Sequence, residues 1–140
     1  MAYDERVRVF LSYDHSDAEL AERLASKLKS AGVDVWLDKD EILPGDAWAE
    51  KISDALKSSR AMIVLLTTNS LRSPRVLNEI EYALGARDYS GRLIPVLFGK
   101  EPTWEDVPWI LKKLKLIRVQ GPEEEEQGLD KIQHALSEVS

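Results

Sequence analysis

A chain of 140 residues and 15.8 kDa, 44% hydrophobic and 31% charged with mean hydropathy −0.30, carries enough apolar material for one compact core. Its longest apolar run, Ala61–Leu66, falls far short of the ~20 residues of a transmembrane helix, and its apolar residues are periodic, which argues against disorder. Lys and Arg total 19 against 25 Asp and Glu, a net charge of −6, without the basic footprint of a duplex nucleic-acid binder; the lack of cysteine removes disulfides and thiolate metal sites.

The remaining polar clusters add little. Lys112, Lys113 and Lys115 read as a solvated helix face. His15 and His134 have no ligand spacing, so no metal site is expected, and His134 reads as a surface residue. The opening MAYDERVRVF has no basic-then-apolar signal pattern, so a reducing, cytoplasmic setting without membrane contact fits best.

In chain order, Val7–Ser12 is β-branched and aromatic and predicts the first strand. Ser16 to Glu19 has the spacing of a capping box, and Ala21, Leu24, Ala25 and Leu28 then share one helical face that Gly32 terminates. Val33–Leu37 is the second strand. Residues 38–47 form a turn-rich loop, after which Asp46 caps a helix with Trp48, Ile52, Ala55 and Leu56 on one face. Ala61–Leu66 is a continuous apolar run, the mark of a central parallel strand covered on both faces.

Thr67–Arg72 reads as a polar loop. Ser73-Pro74 opens a helix, serine as cap and proline in the first turn, with Val76, Ile80, Ala83 and Leu84 on its apolar face. Arg92–Leu97 is the fourth strand, in which Pro95 should mark an end or a bulge because it lacks a ladder donor. A short helical turn capped by Thr103 and Asp106 follows, then a fifth strand, Leu114–Val119. The acidic run Glu123–Glu126 suits the positive end of a last helix carrying Leu129, Ile132, Leu136 and Val139. Five strands alternating with helices predict right-handed crossovers, one parallel sheet and helices on both faces. Residues 1–140 read as one domain, either a small protein or a part of a larger one.

Ligands of such a sheet collect at the carboxyl ends of its strands. Ser12–Ser16, Asp38–Trp48, Thr67–Pro74 and Phe98–Trp104 should meet there. Neither GxGxxG after the first strand nor GxxxxGK[ST] occurs, and no serine sits in GxSxG. A phospho-receiver would need an aspartate at the end of the third strand, which here runs Leu65-Leu66-Thr67-Thr68.

Five segments, in order, carry a resemblance. Phe10-Leu11-Ser12-Tyr13 followed by Asp17, and Val35-Trp36-Leu37-Asp38 before a loop containing Leu43-Pro44-Gly45-Asp46-Ala47-Trp48, are two of them. The strand Ser59–Leu66, the helix Ser73–Leu84 with Asn78 and Glu79, and Ile94-Pro95-Val96-Leu97 complete the set. Together they resemble TIR (Toll/interleukin-1 receptor-like) domains, of bacterial type, over nearly the whole chain. The resemblance implies a flavodoxin-like fold with a five-stranded parallel sheet. It also eases the position of Pro95 and makes Ile42, Leu43, Pro44 and Gly45 the assembly loop, the family's BB loop.

Two occupations follow from the family. Some members cleave the nicotinamide–ribose bond of NAD+, giving ADP-ribose or its cyclic isomers; others are scaffolds that act through TIR–TIR association. In the enzymes one helix glutamate is essential, and the motif places it at Glu79. The chemistry explains a carboxylate there: glycosidic cleavage builds oxocarbenium-like charge that a carboxylate stabilises, while nicotinamide leaves as a neutral base. NAD+ is then substrate, and no cofactor is implied.

Glu79 is expected as an exposed cleft carboxylate; without the resemblance it would read as a solvated helix residue. Phe10 reads as core by default and as a ligand contact by position. Ser12 and Tyr13 end the first strand, where amides and a phenol can meet a nucleotide. Asp38 and Trp48 flank the loop, Trp48 either stacking on a base or packing. Ser70 either positions the ribose or closes a turn. Arg75, where relatives carry tryptophan or asparagine, stands four residues before Glu79 and either pairs with it or meets a phosphate. The resulting expectation is an NAD+ glycohydrolase or cyclase activated by self-assembly in prokaryotic immune or cell-death signalling, with other TIR domains as partners. The alternatives are a non-enzymatic TIR scaffold and a nucleoside deoxyribosyltransferase-like enzyme.

Overall fold

A computed structural model describes residues 8–37, 50, 54, 57–85, 92–99, 102–114 and 116–138. The strands are β1 (Arg8–Ser12), β2 (Asp34–Leu37), β3 (Ala61–Leu66), β4 (Leu93–Phe98) and β5 (Ile117–Val119). The helices bounded within these residues are α1 (Ala18–Ser30), α2 (Pro74–Gly85) and α3 (Glu125–Ser137). Residues 50, 54, 57 and 58, between β2 and β3, are helical as well. All five strands run parallel in the order β2-β1-β3-β4-β5, the flavodoxin-like arrangement expected from the alternation of elements.

Side chains alternate across a strand, and that divides the core in two. Val9 and Leu11 of β1, Ile63 and Leu65 of β3 and Val96 of β4 pack with Ala21, Leu24 and Leu28 of α1 and Ile132 and Leu136 of α3. On the opposite face Phe10, Met62, Val64, Leu66 and Leu97 pack with Val76, Ile80 and Ala83 of α2 and with Val107 and Leu111. β3 is the central strand and is buried along its whole length. Helices thus cover both faces, so β3 can be apolar throughout instead of alternating.

Several local expectations need correction. The Ser16–Glu19 capping box does not form. Asp14 accepts the Ser16 N–H at 2.9 Å, residues 15–17 wind into a 3-10 turn, and α1 starts at Ala18 without a side-chain cap. Asp14, two residues away, takes the Ser16 N–H that Glu19 would have had to reach back to, so the box loses its reciprocal bond and α1 starts past the serine. Pro95 is neither a strand end nor a bulge. It lies inside β4 opposite Val64, and β5 joins β4 only from Val96, so at Pro95 that edge has no ladder partner to lose. The fifth strand is shorter than expected, because Trp109–Lys113 form a 3-10 turn ahead of it.

Other signals hold. Gly32 ends α1 at φ 93°, the left-handed conformation. Ser73 caps α2, its hydroxyl accepting the Val76 N–H at 3.3 Å. Asp106 accepts from Thr103 N–H at 2.8 Å and from the Thr103 hydroxyl at 3.2 Å, closing the turn at Trp104–Asp106. His134 is exposed, 3.9 Å from Glu138. The helix cap at Asp46 and the face through Trp48, Ile52, Ala55 and Leu56 lie outside the described residues.

Candidate active site

The carboxyl ends of β1 and β3, neighbouring strands in the interior of the sheet, bring the candidate residues together. Ser12 is the last residue of β1 and lies opposite Val64. Two-residue periodicity puts it on the same side of the strand as Phe10, toward α2. On α2, Glu79 follows Val76 by three residues and precedes Ala83 by four, so it belongs to the buried stripe of that helix. The two meet: the Ser12 hydroxyl donates to Glu79 Oε1, and both residues are 0% exposed.

That burial corrects the expectation of an exposed carboxylate. Position on the helix stripe decides the outcome, while residue type had suggested solvent. A buried carboxylate is costly to keep without hydrogen bonds, so the serine donor is part of what makes the burial possible.

A second polar group ties the neighbouring loops. Asp17 accepts the Thr67 hydroxyl at 2.5 Å on one oxygen and the Asn69 amide at 3.0 Å on the other. It joins the turn after β1 to the loop that leads from β3 into α2. Inside that loop Thr67 and Ser70 hold each other: the Thr67 N–H donates to Ser70 Oγ at 2.7 Å and the Ser70 N–H to Thr67 Oγ1 at 3.1 Å. The Ser70 hydroxyl also donates to the Thr67 carbonyl at 3.2 Å, so this serine closes a turn. The expectation of a plain polar loop missed a 3-10 turn, Ser70–Arg72, and the role of Asp17 and Thr67. The signal was present: polar residues follow directly on two adjacent central strands, where their side chains are within reach of one another.

The other candidates fall in different places. Phe10 is core, its ring 5.0 Å from that of Trp36 with the planes tilted by 54°. Tyr13 is buried with the cluster that α1 and α3 cover, on the face away from Ser12, because it is one residue out of phase with it. Arg75 lies in the first turn of α2, one helical turn before Glu79. Asp38, Ile42, Leu43, Pro44, Gly45 and Trp48 lie outside the described residues. Among the described residues no group of His, Cys, Asp and Glu is arranged to hold a metal, and no helix is long and apolar enough to cross a membrane.

Fold and site define a doubly wound, flavodoxin-like α/β domain with its polar residues gathered at the carboxyl edge of the central strands. The TIR domain family model matches residues 9–133, and the chain belongs to that family. Among its relatives is the NAD(+) hydrolase PdTIR of Paracoccus denitrificans, 34% identical over 91 residues, which are 63% of this chain and 30% of that protein. The 2' cyclic ADP-D-ribose synthase AbTIR of Acinetobacter baumannii is 29% identical over 100 residues, 71% of this chain and 37% of that protein. Both support the bacterial type, and the chain spans about a third of the length of either. The TIR domain of the Toll-related receptor TRR-2 of Hydra magnipapillata has the same fold, with a TM-score of 0.75 and 21% identity over 97% of this chain and 99% of that one.

Proposed function

We propose that this TIR domain cleaves the nicotinamide–ribose bond of NAD+, with Glu79 as the carboxylate that faces the reacting ribose. The observation that carries the reading is a carboxylate built into the dry interior at the carboxyl edge of β1 and β3, held by a strand serine. A solvated helix glutamate would need no such partner. The names of the two bacterial relatives, a hydrolase of NAD+ and a synthase of a cyclic ADP-ribose, support the same chemistry.

In the reaction the bond between the ribose C1 and the pyridinium nitrogen breaks, and its electron pair leaves with neutral nicotinamide. The ribose carbon gains oxocarbenium character, which the Glu79 carboxylate offsets at close range in a low-dielectric setting. Water then adds at that carbon and loses a proton, giving ADP-ribose; a nucleophile elsewhere on the same ADP-ribosyl group gives a cyclic product. Arg75, Asp38 and Trp48 are the proposed contacts to the rest of the dinucleotide.

Glu79 is covered in this structure, so the reading includes a resting state that assembly with other TIR domains opens. The setting is cytoplasmic, immune or cell-death signalling. The test is nicotinamide release from NAD+ by the wild type and Glu79→Gln across a range of protein concentrations. Glu79-dependent release whose specific activity rises with concentration is expected. The full burial of Glu79 also favours a second reading, a non-enzymatic TIR scaffold in which the Ser12–Glu79 pair is purely structural. Wild-type protein that self-associates yet releases no nicotinamide would select it.

A further inference from the structure

We infer that Ser12 is a positioning residue for Glu79: its hydroxyl fixes one carboxylate oxygen from the end of β1, so that the other oxygen is presented in a set direction. This inference deepens the proposed function and rests on it for its catalytic consequence. Its structural basis is independent. Ser12 belongs to a strand hydrogen-bonded on both sides, to β2 through the residues before it and to β3 at its own position. Its backbone therefore offers the hydroxyl from a rigid platform. The acceptor lies on a different element, 67 residues further along the chain, and the contact is buried.

A helix glutamate has three side-chain torsions, and in a dry pocket each wrong rotamer turns the carboxylate away from its target. The hydrogen bond from the strand hydroxyl restricts that freedom at one carboxylate oxygen. It also favours the ionised form, since a donor to a carboxylate stabilises the charge that burial opposes. Only the ionised form offsets developing positive charge on a ribose.

The inference separates Ser12 from a residue that merely fills space. Ser12→Ala removes one oxygen and keeps the volume of a β-carbon, so the core stays filled. Ser12→Thr keeps the hydroxyl. Of the described titratable side chains on the adjoining segments, Asp17 is held by Thr67 and Asn69, and Glu81 is exposed. Arg75 shares the helix. None of them changes in these variants.

The experiment has two arms. Carbon-13 NMR follows the Glu79 carboxyl through a pH titration in wild type and Ser12→Ala, the resonance being assigned by its loss in Glu79→Gln. The midpoint is expected to move upward in Ser12→Ala and to return toward wild type in Ser12→Thr. Steady-state NAD+ cleavage is measured alongside. Here kcat is expected to fall about ten- to a hundredfold, the scale of a hydrogen bond to an ionised group, with KM little changed and the acid limb of the rate profile displaced upward. An unmoved Glu79 midpoint in a folded Ser12→Ala protein would overturn the inference whatever the kinetics. A moved midpoint in a wild type that releases no nicotinamide would uphold the pairing and remove the proposed function instead.

Discussion

Glu125, the first residue of α3, takes both ends of the Arg23 guanidinium from α1, Nε at 3.1 Å and Nη2 at 2.8 Å, while Lys27 one turn on reaches the same carboxylate at 3.0 Å. Two helices on one face of the sheet are thereby pinned at a single point. Glu125 is largely covered, its side chain 10% exposed, and the planar fork of arginine matches a carboxylate in two places. Hydrogen bonding to Arg23, and then to Lys27, holds the Glu125 carboxyl below its ordinary value of 4.5. A carboxyl lowered on folding stabilises the fold above its unfolded value and ceases to do so as the pH falls through its folded value. The melting temperature of Glu125→Gln should thus lie a few degrees below wild type at pH 7, and the gap should close as the pH drops below about 4.5. Melting curves of the two proteins between pH 3 and 7 check this; a gap independent of pH would assign the loss to packing.

Where α3 crosses β5, Gly128 has no room for a side chain. A β-carbon there would stand 2.4 Å from a methyl of Val119, which is itself 2% exposed. Helix propensity alone would favour alanine over glycine by about 1 kcal/mol. The overlap should outweigh it, and Gly128→Ala is expected to destabilise the domain by about 1–3 kcal/mol. Trimming the partner should recover much of that cost. In a double-mutant cycle by urea denaturation, Gly128→Ala with Val119→Ala should lose less than the sum of the two single changes.

Asp17 joins the turn after β1 to the loop before α2, and α2 carries Glu79. Loss of its carboxylate leaves the Thr67 hydroxyl and the Asn69 amide to find other partners. Asp17→Ala is expected to cost about 1–3 kcal/mol, since both bonds go to an ionised acceptor and Thr67 is buried. If NAD+ is the substrate, turnover should fall with it while the domain remains folded. Urea denaturation and nicotinamide release on one preparation check both parts.

The order and type of elements were legible because strand and helix periodicities differ and because β3 reads as one apolar run. The cap at Ser73 and the stop at Gly32 were legible for the same reason: each is a local choice of the backbone, visible in one or two residues. Ser16 misled because Asp14 and Glu19 could both accept its N–H and the nearer carboxylate, Asp14, takes it. The motif singles out Glu79 as a candidate, but the expectation of an exposed carboxylate is wrong. Its burial was nonetheless written in the spacing of Val76, Glu79 and Ala83. What the sequence could not supply was the partner, since Ser12 reaches Glu79 only once β1 and α2 are laid side by side.

The same burial separates two substitutions at Glu79 that would be equivalent on a solvated helix. Glu79→Ala removes a fully buried side chain, leaves a void at that site, and strands the Ser12 hydroxyl. Void and orphaned donor together should cost about 2–4 kcal/mol. Glu79→Gln keeps the shape and an acceptor oxygen for Ser12. The amide forfeits the charge assistance of that hydrogen bond and sheds the cost of burying an ion, so the two effects offset and stability should stay within about 1 kcal/mol of wild type. Both variants should lose at least ~10²-fold in NAD+ turnover, the scale of deleting a major electrostatic contact to a transition state. Denaturation midpoints measured beside nicotinamide release decide the matter. Full activity in a folded Glu79→Gln protein would remove Glu79 from the chemistry, whereas equal stability of the two variants would mean that the site is more open in solution than the buried Ser12–Glu79 pair implies.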